Sequence, residues 1–393
     1  MCPSRAEVIA FRLAAHHLDE RRDVDELLAV AGACAVQDSP RGSALLALQA
    51  RLRGLTREDV DRAVADRLLL RTWSVRGAPF VVPTTSAPTF TLGVLPPTEE
   101  ALRHFLPGVG PSLDRLGLTL TQAVDLTAAQ VRSVLANRRL AIDELGAALA
   151  PRLASNLTES QRYVWNSLGP YASGQPVGEA VVHFCVRVLA LRGVVCFAPR
   201  EGAKAPFVLL DEWLGNALPP VDPVAAREDL LRRYLHSYAP STPAQFAGWL
   251  GVHVGDVRHW WDLVEHDLTA TNHGGRSWML TGDVDAMRAS RMPRGVRLLP
   301  PTDPYTQSRD RDTLVPPGRQ REVWRATGSP GTVLVDGELV GTWRSHLRGR
   351  RSSFEVVPFE DLTPHQLAEF HEEAYGIARL RGASSAVVEL GAT

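Results

Sequence analysis

The sequence predicts an α+β protein of three tandem winged-helix modules followed by a small C-terminal β-barrel or β-sheet module. Three observations predict it. Helical periodicity gives way to a pair of β-rich runs three times in succession, the turns between those runs carry hairpin chemistry, and after residue 294 short β runs replace the helical pattern. The boundaries fall at 1–96, 97–220, 221–293 and 294–393. The repetition is one of element order, since no fixed sequence period accompanies it. A chain of 393 residues has room for two to four modules, and 45% hydrophobic residues suffice for their cores.

The first module opens with helical patterns at 4–17 and 24–34. A third helix is expected at 41–52 and a fourth from the Thr56 cap, with Glu58 and Asp59 in its first turn. The runs Leu68–Val75 and Phe80–Val82, separated by Arg76-Gly77-Ala78-Pro79, read as a hairpin that places Arg71, Trp73 and Arg76 on a wing. Trp73 is either a base contact there or part of the hairpin core.

The second module begins with Pro107-Gly108-Val109-Gly110-Pro111 breaking a helix. A long helix through Leu120, Val124, Val131, Val134 and Leu135 follows, then helices at 141–153 and 178–192 and the β runs Val194–Phe197 and Phe207–Leu210. His183 and Cys185 cannot share one helix face, so core packing is their expected role.

In the third module a helix through Leu230, Leu231, Tyr234 and Leu235 precedes a short helix capped at Ser241-Thr242-Pro243. A third helix is expected over Val254 to Val264, then a hairpin turning at Asn272-His273-Gly274-Gly275. In the usual docking this third helix enters the major groove and exposes Arg258, His259 and Trp260; the alternative buries its aromatics against a neighbouring module.

The last module combines β runs at 296–299, 332–335, 339–344 and 354–357 with a closing helix from Pro364 to about Leu380. Its charge is uneven: thirteen arginines stand against six acids over 286–351, and two against seven from Glu355 onward. A local basic face is expected there despite a formal net charge of −1. Lys204 is the only lysine, so arginine, whose planar fork suits phosphates and guanine edges, carries nearly all the positive charge.

Composition excludes several classes. No apolar run approaches the ~20 residues of a membrane span, and the N-terminus lacks the order of a signal peptide, so a cytoplasmic monomer without membrane contact is expected. Cys2, Cys34, Cys185 and Cys196 form no C-x-x-C pair, and the adjacent His16-His17 reads as helix surface. Neither a metal nor any other cofactor is expected.

The chemistry-bearing stretch is Gln37-Asp38-Ser39-Pro40, between two helical patterns. Ser39 before Pro40 is a helix-start signal, which would put Gln37 and Asp38 at the mouth of the gap between the helices. A turn and a cap, with no chemistry, is the plainer alternative.

With these residues in view, the chain resembles the winged-helix DNA glycosylases of the AlkZ and YcaQ family. The likeness covers nearly the whole chain. It is most specific in Leu298-Leu299-Pro300-Pro301-Thr302-Asp303-Pro304-Tyr305, Arg309-Asp310-Arg311, Val335-Asp336-Gly337 and Gly341-Thr342-Trp343-Arg344. The resemblance implies three winged helices and a β-barrel around DNA, and hydrolysis of the N-glycosidic bond of alkylated purines, including bulky adducts. The family motif is glutamine, any residue, then glutamine or aspartate. Gln37 fills its first position, Asp38 its middle one, and Ser39 stands where the second polar group is expected. Either Asp38 takes the acidic role from a shifted position, or Ser39 serves with Gln37.

The expected partner is double-stranded DNA carrying a damaged purine, in particular a bulky N7-alkylguanine. Such a base is cationic and leaves readily, so the enzyme has to stabilise an oxocarbenium-like sugar and direct a water. Asp38 would act as electrostatic partner or base, Gln37 would position the water, and Ser39 would cap the helix or hold the water as a third ligand. With Lys204 in another module a Schiff-base lyase is not expected. DNA contacts are assigned to Trp73, Arg258 and His273, and phosphate contacts to Arg41, Arg71, Arg76, Arg276, Arg309, Arg311, Arg344, Arg348, Arg350 and Arg351. A non-catalytic winged-helix regulator and a scaffold indifferent to DNA are the rival readings.

Overall fold

The computed structural model describes residues 1–391. Twelve strands fall into three sheets. The first joins β1 (Val36–Gln37), β2 (Leu69–Trp73), β3 (Pro79–Pro83), β4 (Val195–Phe197) and β5 (Phe207–Leu209) in the order β1-β3-β2-β4-β5. The two expected hairpins are therefore not separate wings. They meet through β2 and β4, where Arg71 lies opposite Phe197, and β1 adds an edge that the sequence pattern did not reveal.

The third hairpin, β6 (Leu268–Asn272) and β7 (Arg276–Leu280), stays a two-stranded sheet. The helix expected over 254–264 shrinks to a 3-10 turn at Val254–Asp256 and one turn of α-helix at Arg258–Trp261. Its apolar residues explain this correction. Val257, Trp260, Trp261 and Val264 are all buried, and Trp260 Nε1 donates to the Gly93 carbonyl at 2.7 Å, so Trp260 presents nothing to solvent.

One continuous apolar core spans the first sheet and the helices Leu120–Leu135, Ile142–Ala154, Val177–Leu191, Pro223–Tyr238 and Pro243–Leu250. Cys185 and Cys196 lie in it, and burial pushes both thiols up to about 12.

The C-terminal sheet is open rather than a closed barrel: β8 (Val296–Leu299), β9 (Gly331–Val335), β10 (Glu338–Arg348), β11 (Arg351–Pro358) and β12 (Ser385–Leu390), in the order β12-β11-β10-β9-β8. β12 runs parallel to β11, a pairing that needs a crossover, and the helix Pro364–Leu380 supplies it. That helix starts at a Thr363–Gln366 capping box and buries Phe370, Ala374 and Ile377 against Val296, Trp343 and Phe354. The same cluster takes in Leu45, Leu48 and Ala31 of the N-terminal helices, so both ends of the chain are packed around the Gln37 stretch.

His16, expected on a helix surface, is fully buried between the rings of Tyr238 and Tyr305, with Nδ1 2.7 Å from the Arg12 carbonyl. Among the described residues, no helix is long and apolar enough to cross a membrane.

Candidate active site

The helix Leu27–Cys34 ends at Ala35, whose φ of 54° turns the chain into β1. Val36 then pairs with Val81 and Gln37 with Phe80, and the Asp38 amide donates to the Pro79 carbonyl at 2.8 Å. Gln37 thus ends an edge strand and Asp38 follows it, where the sequence pattern suggested only a gap between helices. Asp38 follows directly after the strand, and the two groups take different partners.

Asp38 closes the turn. Its Oδ1 accepts from the Gly42 amide at 2.8 Å, and its Oδ2 lies 2.6 Å from Arg71, both side chains being 12% exposed. Gly42, at φ 87°, takes the N-cap position of the helix Ser43–Arg51. The expected Ser39 cap is thereby corrected: among the described residues the helix has no side-chain cap, and the carboxylate one residue earlier accepts from the amide of its N-cap glycine. What Ser39 contributes is its carbonyl, which accepts from Gln37 Nε2 at 3.1 Å and from Thr302 Oγ1 at 2.8 Å.

Gln37 is held from its other end. Arg76 Nη2 donates to Gln37 Oε1 at 3.1 Å and to Gln307 Oε1 at 2.9 Å, while Arg76 Nη1 donates to the Trp249 carbonyl. Arg76 sits at φ 56° in the turn between β2 and β3, which aims it inward. Burial, and then the neighbouring Arg309 charge, push its guanidinium down to about 10.

Two arginines expected on a free wing are thus committed to the motif, Arg71 to Asp38 and Arg76 to Gln37. Trp73 is packed as well. Its ring lies 5.3 Å from that of Phe197 with Arg187 over it at 5.1 Å, and its buried Nε1 has no partner among the described residues.

On the Asp38 face an open cleft of about 710 Å³ is lined by Arg41, Arg57, Arg71, Arg200 and Arg381, with Asp38 and Asp61 the only acids among its lining residues. Burial lowers the pKa of Arg71, Asp38 opposes that shift, and Arg200 and Arg41 add to it, as expected of cations crowded into one wall. Phe197 and Leu347 give the cleft apolar surface. Arg57, Arg200 and Arg381 escaped the sequence reading. Arg381 belongs to an acid-rich tail, and the other two come from modules in which no charge excess marks them.

The remaining assigned residues divide into two groups. His273 is half-buried, 2.7 Å from Thr313 Oγ1 and 3.4 Å from Asp310, and Arg309 Nε donates to the Gly248 carbonyl at 2.8 Å. Arg344 donates to the Gly328 carbonyl at 2.5 Å and Arg311 covers the Trp324 ring at 4.8 Å. These four make contacts within the protein, through the segment 300–313 and the strand β10. Arg41, Arg258, Arg276, Arg348, Arg350 and Arg351 are exposed, and none makes an ion pair among the described residues. Arg276 lies over the Trp278 ring at 5.4 Å.

Among the described residues no group of three or more His, Cys, Asp or Glu side chains could hold a metal ion. The site therefore offers a carboxylate and a carboxamide, each fixed by an arginine, and of these Asp38 and its partner Arg71 line the basic cleft.

The chain as a whole is similar to known proteins. The family model "DNA glycosylase AlkZ-like" matches residues 30–380. An interstrand DNA cross-link repair glycosylase of Streptomyces sahachiroi is 28% identical over 402 residues, covering 99% of this chain and 100% of the relative. The solved structure of the Streptomyces sahachiroi DNA glycosylase AlkZ superposes with a TM-score of 0.76 at 25% identity, over 100% of each chain.

Proposed function

The chain belongs to the AlkZ-like family and is a DNA glycosylase, and from that premise we propose that it hydrolyses the N-glycosidic bond of bulky N7-alkylguanine in duplex DNA, leaving an abasic site. In this reading the segments 1–96 and 97–220, joined through one sheet, and the segment 221–293 with its own hairpin surround the duplex together with the β module 294–393.

The observation that carries the proposal is the paired arrest of Asp38 by Arg71 at 2.6 Å, on the wall of the arginine-lined cleft, and of the adjacent Gln37 by Arg76 at 3.1 Å. A cationic N7-alkylguanine needs little help to leave, so the chemistry lies in the sugar and the water. Gln37 Oε1 keeps a lone pair after accepting from Arg76 and directs the water's O–H. Asp38 supplies negative charge near the developing oxocarbenium ion, while Arg71 keeps that charge in place. The Ser39 hydroxyl is a further ligand for the water.

The open form of the cleft suits a bulky adduct better than a snug pocket for a flipped methylated base. A hydroxyl where the family motif has glutamine or aspartate favours a narrow substrate range, such as one natural-product guanine adduct handled in antibiotic self-resistance. Lys204 supports a monofunctional enzyme. It pairs with Glu144 in another part of the chain, and that hydrogen bond raises its pKa, which keeps the amine protonated and poor as a Schiff-base nucleophile.

Duplex oligonucleotides carrying methyl, bulky and crosslinked N7-guanine adducts, incubated with the protein and scored for released base, test the reading. Release of the bulky adducts, with strand cleavage only after added alkali and no borohydride-trapped covalent complex, is the expected result. Activity on methyl adducts alone contradicts the substrate assignment.

A further inference from the structure

Arg76 does more than hold Gln37. One of its nitrogens, Nη2, donates to Gln37 Oε1 at 3.1 Å and to Gln307 Oε1 at 2.9 Å. Two carboxamide oxygens sharing one donor face the same small volume. Gln307 Nε2 makes no hydrogen bond among the described residues and is not buried, so that amide is open to a further partner.

The backbone that presents Gln307 is rigid. It is the last residue of the 3-10 turn Pro304–Gln307, capped by Asp303, whose carboxylate accepts from the Tyr305 amide at 3.0 Å. That carboxylate also meets Arg51 at 2.8 Å, both side chains being at most 1% exposed. Just before the turn, Thr302 Oγ1 donates to the Ser39 carbonyl at 2.8 Å, and just within it the Thr306 carbonyl accepts from Trp324 Nε1 at 3.0 Å. The segment therefore grips the motif at Ser39 and again, through Arg76, at Gln37.

We propose that Gln307 supplies the second side-chain amide of the hydrolytic site, in the role that the stretch Gln37-Asp38-Ser39 leaves to a hydroxyl, with Arg76 as the positioning residue that holds both carboxamides. The proposal rests on the reading of Gln37 given above. Each sp² oxygen accepts an N–H from Arg76 and retains a lone pair for one O–H of the attacking water. With both O–H bonds directed, a lone pair of the water is turned toward the sugar C1′. As the new C–O bond forms, the glycosidic C–N bond breaks, its electron pair neutralises the departing cationic purine, and the water's surplus proton passes to solvent.

The test is single-turnover base release, at saturating protein, from a duplex carrying the N7-guanine adduct released fastest in the panel, with duplex affinity and thermal melting measured on the same preparations. Gln307→Ala is expected to slow release about 10²-fold at unchanged affinity. Combined with Gln37→Ala it is expected to cost no more than about threefold beyond the worse single variant, as for groups that act as a unit. Gln307→Glu restores an acceptor and is expected to return release to within about tenfold of the parent at pH 8, with a new loss of rate as acid protonates the carboxyl; a merely structural side chain would give no such limb.

Full activity of a folded Gln307→Ala beside a dead Gln37→Ala overturns the proposal and leaves the motif reading standing, as do losses that multiply in the double variant. Full activity of Gln37→Ala overturns the motif reading itself. Where the alanine variant melts too low to assay, Gln307→Glu decides: a parental pH profile overturns the assignment, and the acid limb supports it.

Discussion

The two hairpins richest in arginine use that charge in opposite ways. In the β2–β3 hairpin Arg71 and Arg76 point into the protein, one on Asp38 and the other shared between Gln37 and Gln307. In the β10–β11 hairpin Arg348 and Arg351 face each other across the tip, with Arg350 in the turn, and all three are exposed without an ion pair among the described residues. The lesson is that a count of arginines measures charge and not its purpose. An inward guanidinium fixes the orientation of another side chain, while an outward one stays exposed to solvent.

The largest effect should come from an inward arginine that is fully enclosed together with its partner. Arg51→Met leaves Asp303 buried without its partner, and the chain is expected to lose about 3–5 kcal/mol of stability in denaturant unfolding. A loss under 1 kcal/mol would mean that the strap 300–311 does not depend on that pair.

Next, Arg71→Gln frees Asp38 from its anchor and is expected to slow single-turnover base release about 10²-fold, or ~2.7 kcal/mol, with a smaller change in duplex affinity. If affinity falls and the rate does not, Arg71 belongs with the outward group.

The outward hairpin should answer in reverse. Replacing Arg348, Arg350 and Arg351 together by Gln is expected to leave release at saturating protein unchanged and to flatten the dependence of log affinity on log salt by roughly 2–3 in slope. An unchanged slope would remove this hairpin from the DNA interface.

The smallest effect concerns pH. Burial, followed by the Arg51 charge, holds His16 well below its ordinary value, so the unfolded chain takes up a proton that the folded chain refuses. Stability is then retained above the unfolded value near 6.5 and lost as pH falls below it, by up to about 1.4 kcal/mol per unit. Urea titrations at pH 7.5 and 5.5 should show this slope reduced in His16→Gln.

Much of the fold was legible because long periodic helices and turn residues are local signals. The helices Leu120–Leu135 and Pro364–Leu380 and the turn at Arg76-Gly77 are of that kind. What stayed hidden depends on distant partners. β1 is two residues long and exists only because β3 receives it, and β12 needs the crossover helix to reach β11. The helix expected over 254–264 failed because its tryptophans belong to the core.

At the site, the motif residues Gln37, Asp38 and Ser39 could be named from the resemblance. Their faces and their partners could not, since Arg71, Arg76, Thr302 and Gln307 reach them through the tertiary fold.

The most direct measurement compares rate with binding for Gln37→Ala on one duplex carrying a bulky N7-guanine adduct. Single-turnover release is expected to fall by about 10²–10⁴-fold while the dissociation constant for the duplex stays within about twofold. Release at the parental rate, or a rate lost only in step with binding, would contradict a hydrolytic site at the end of β1.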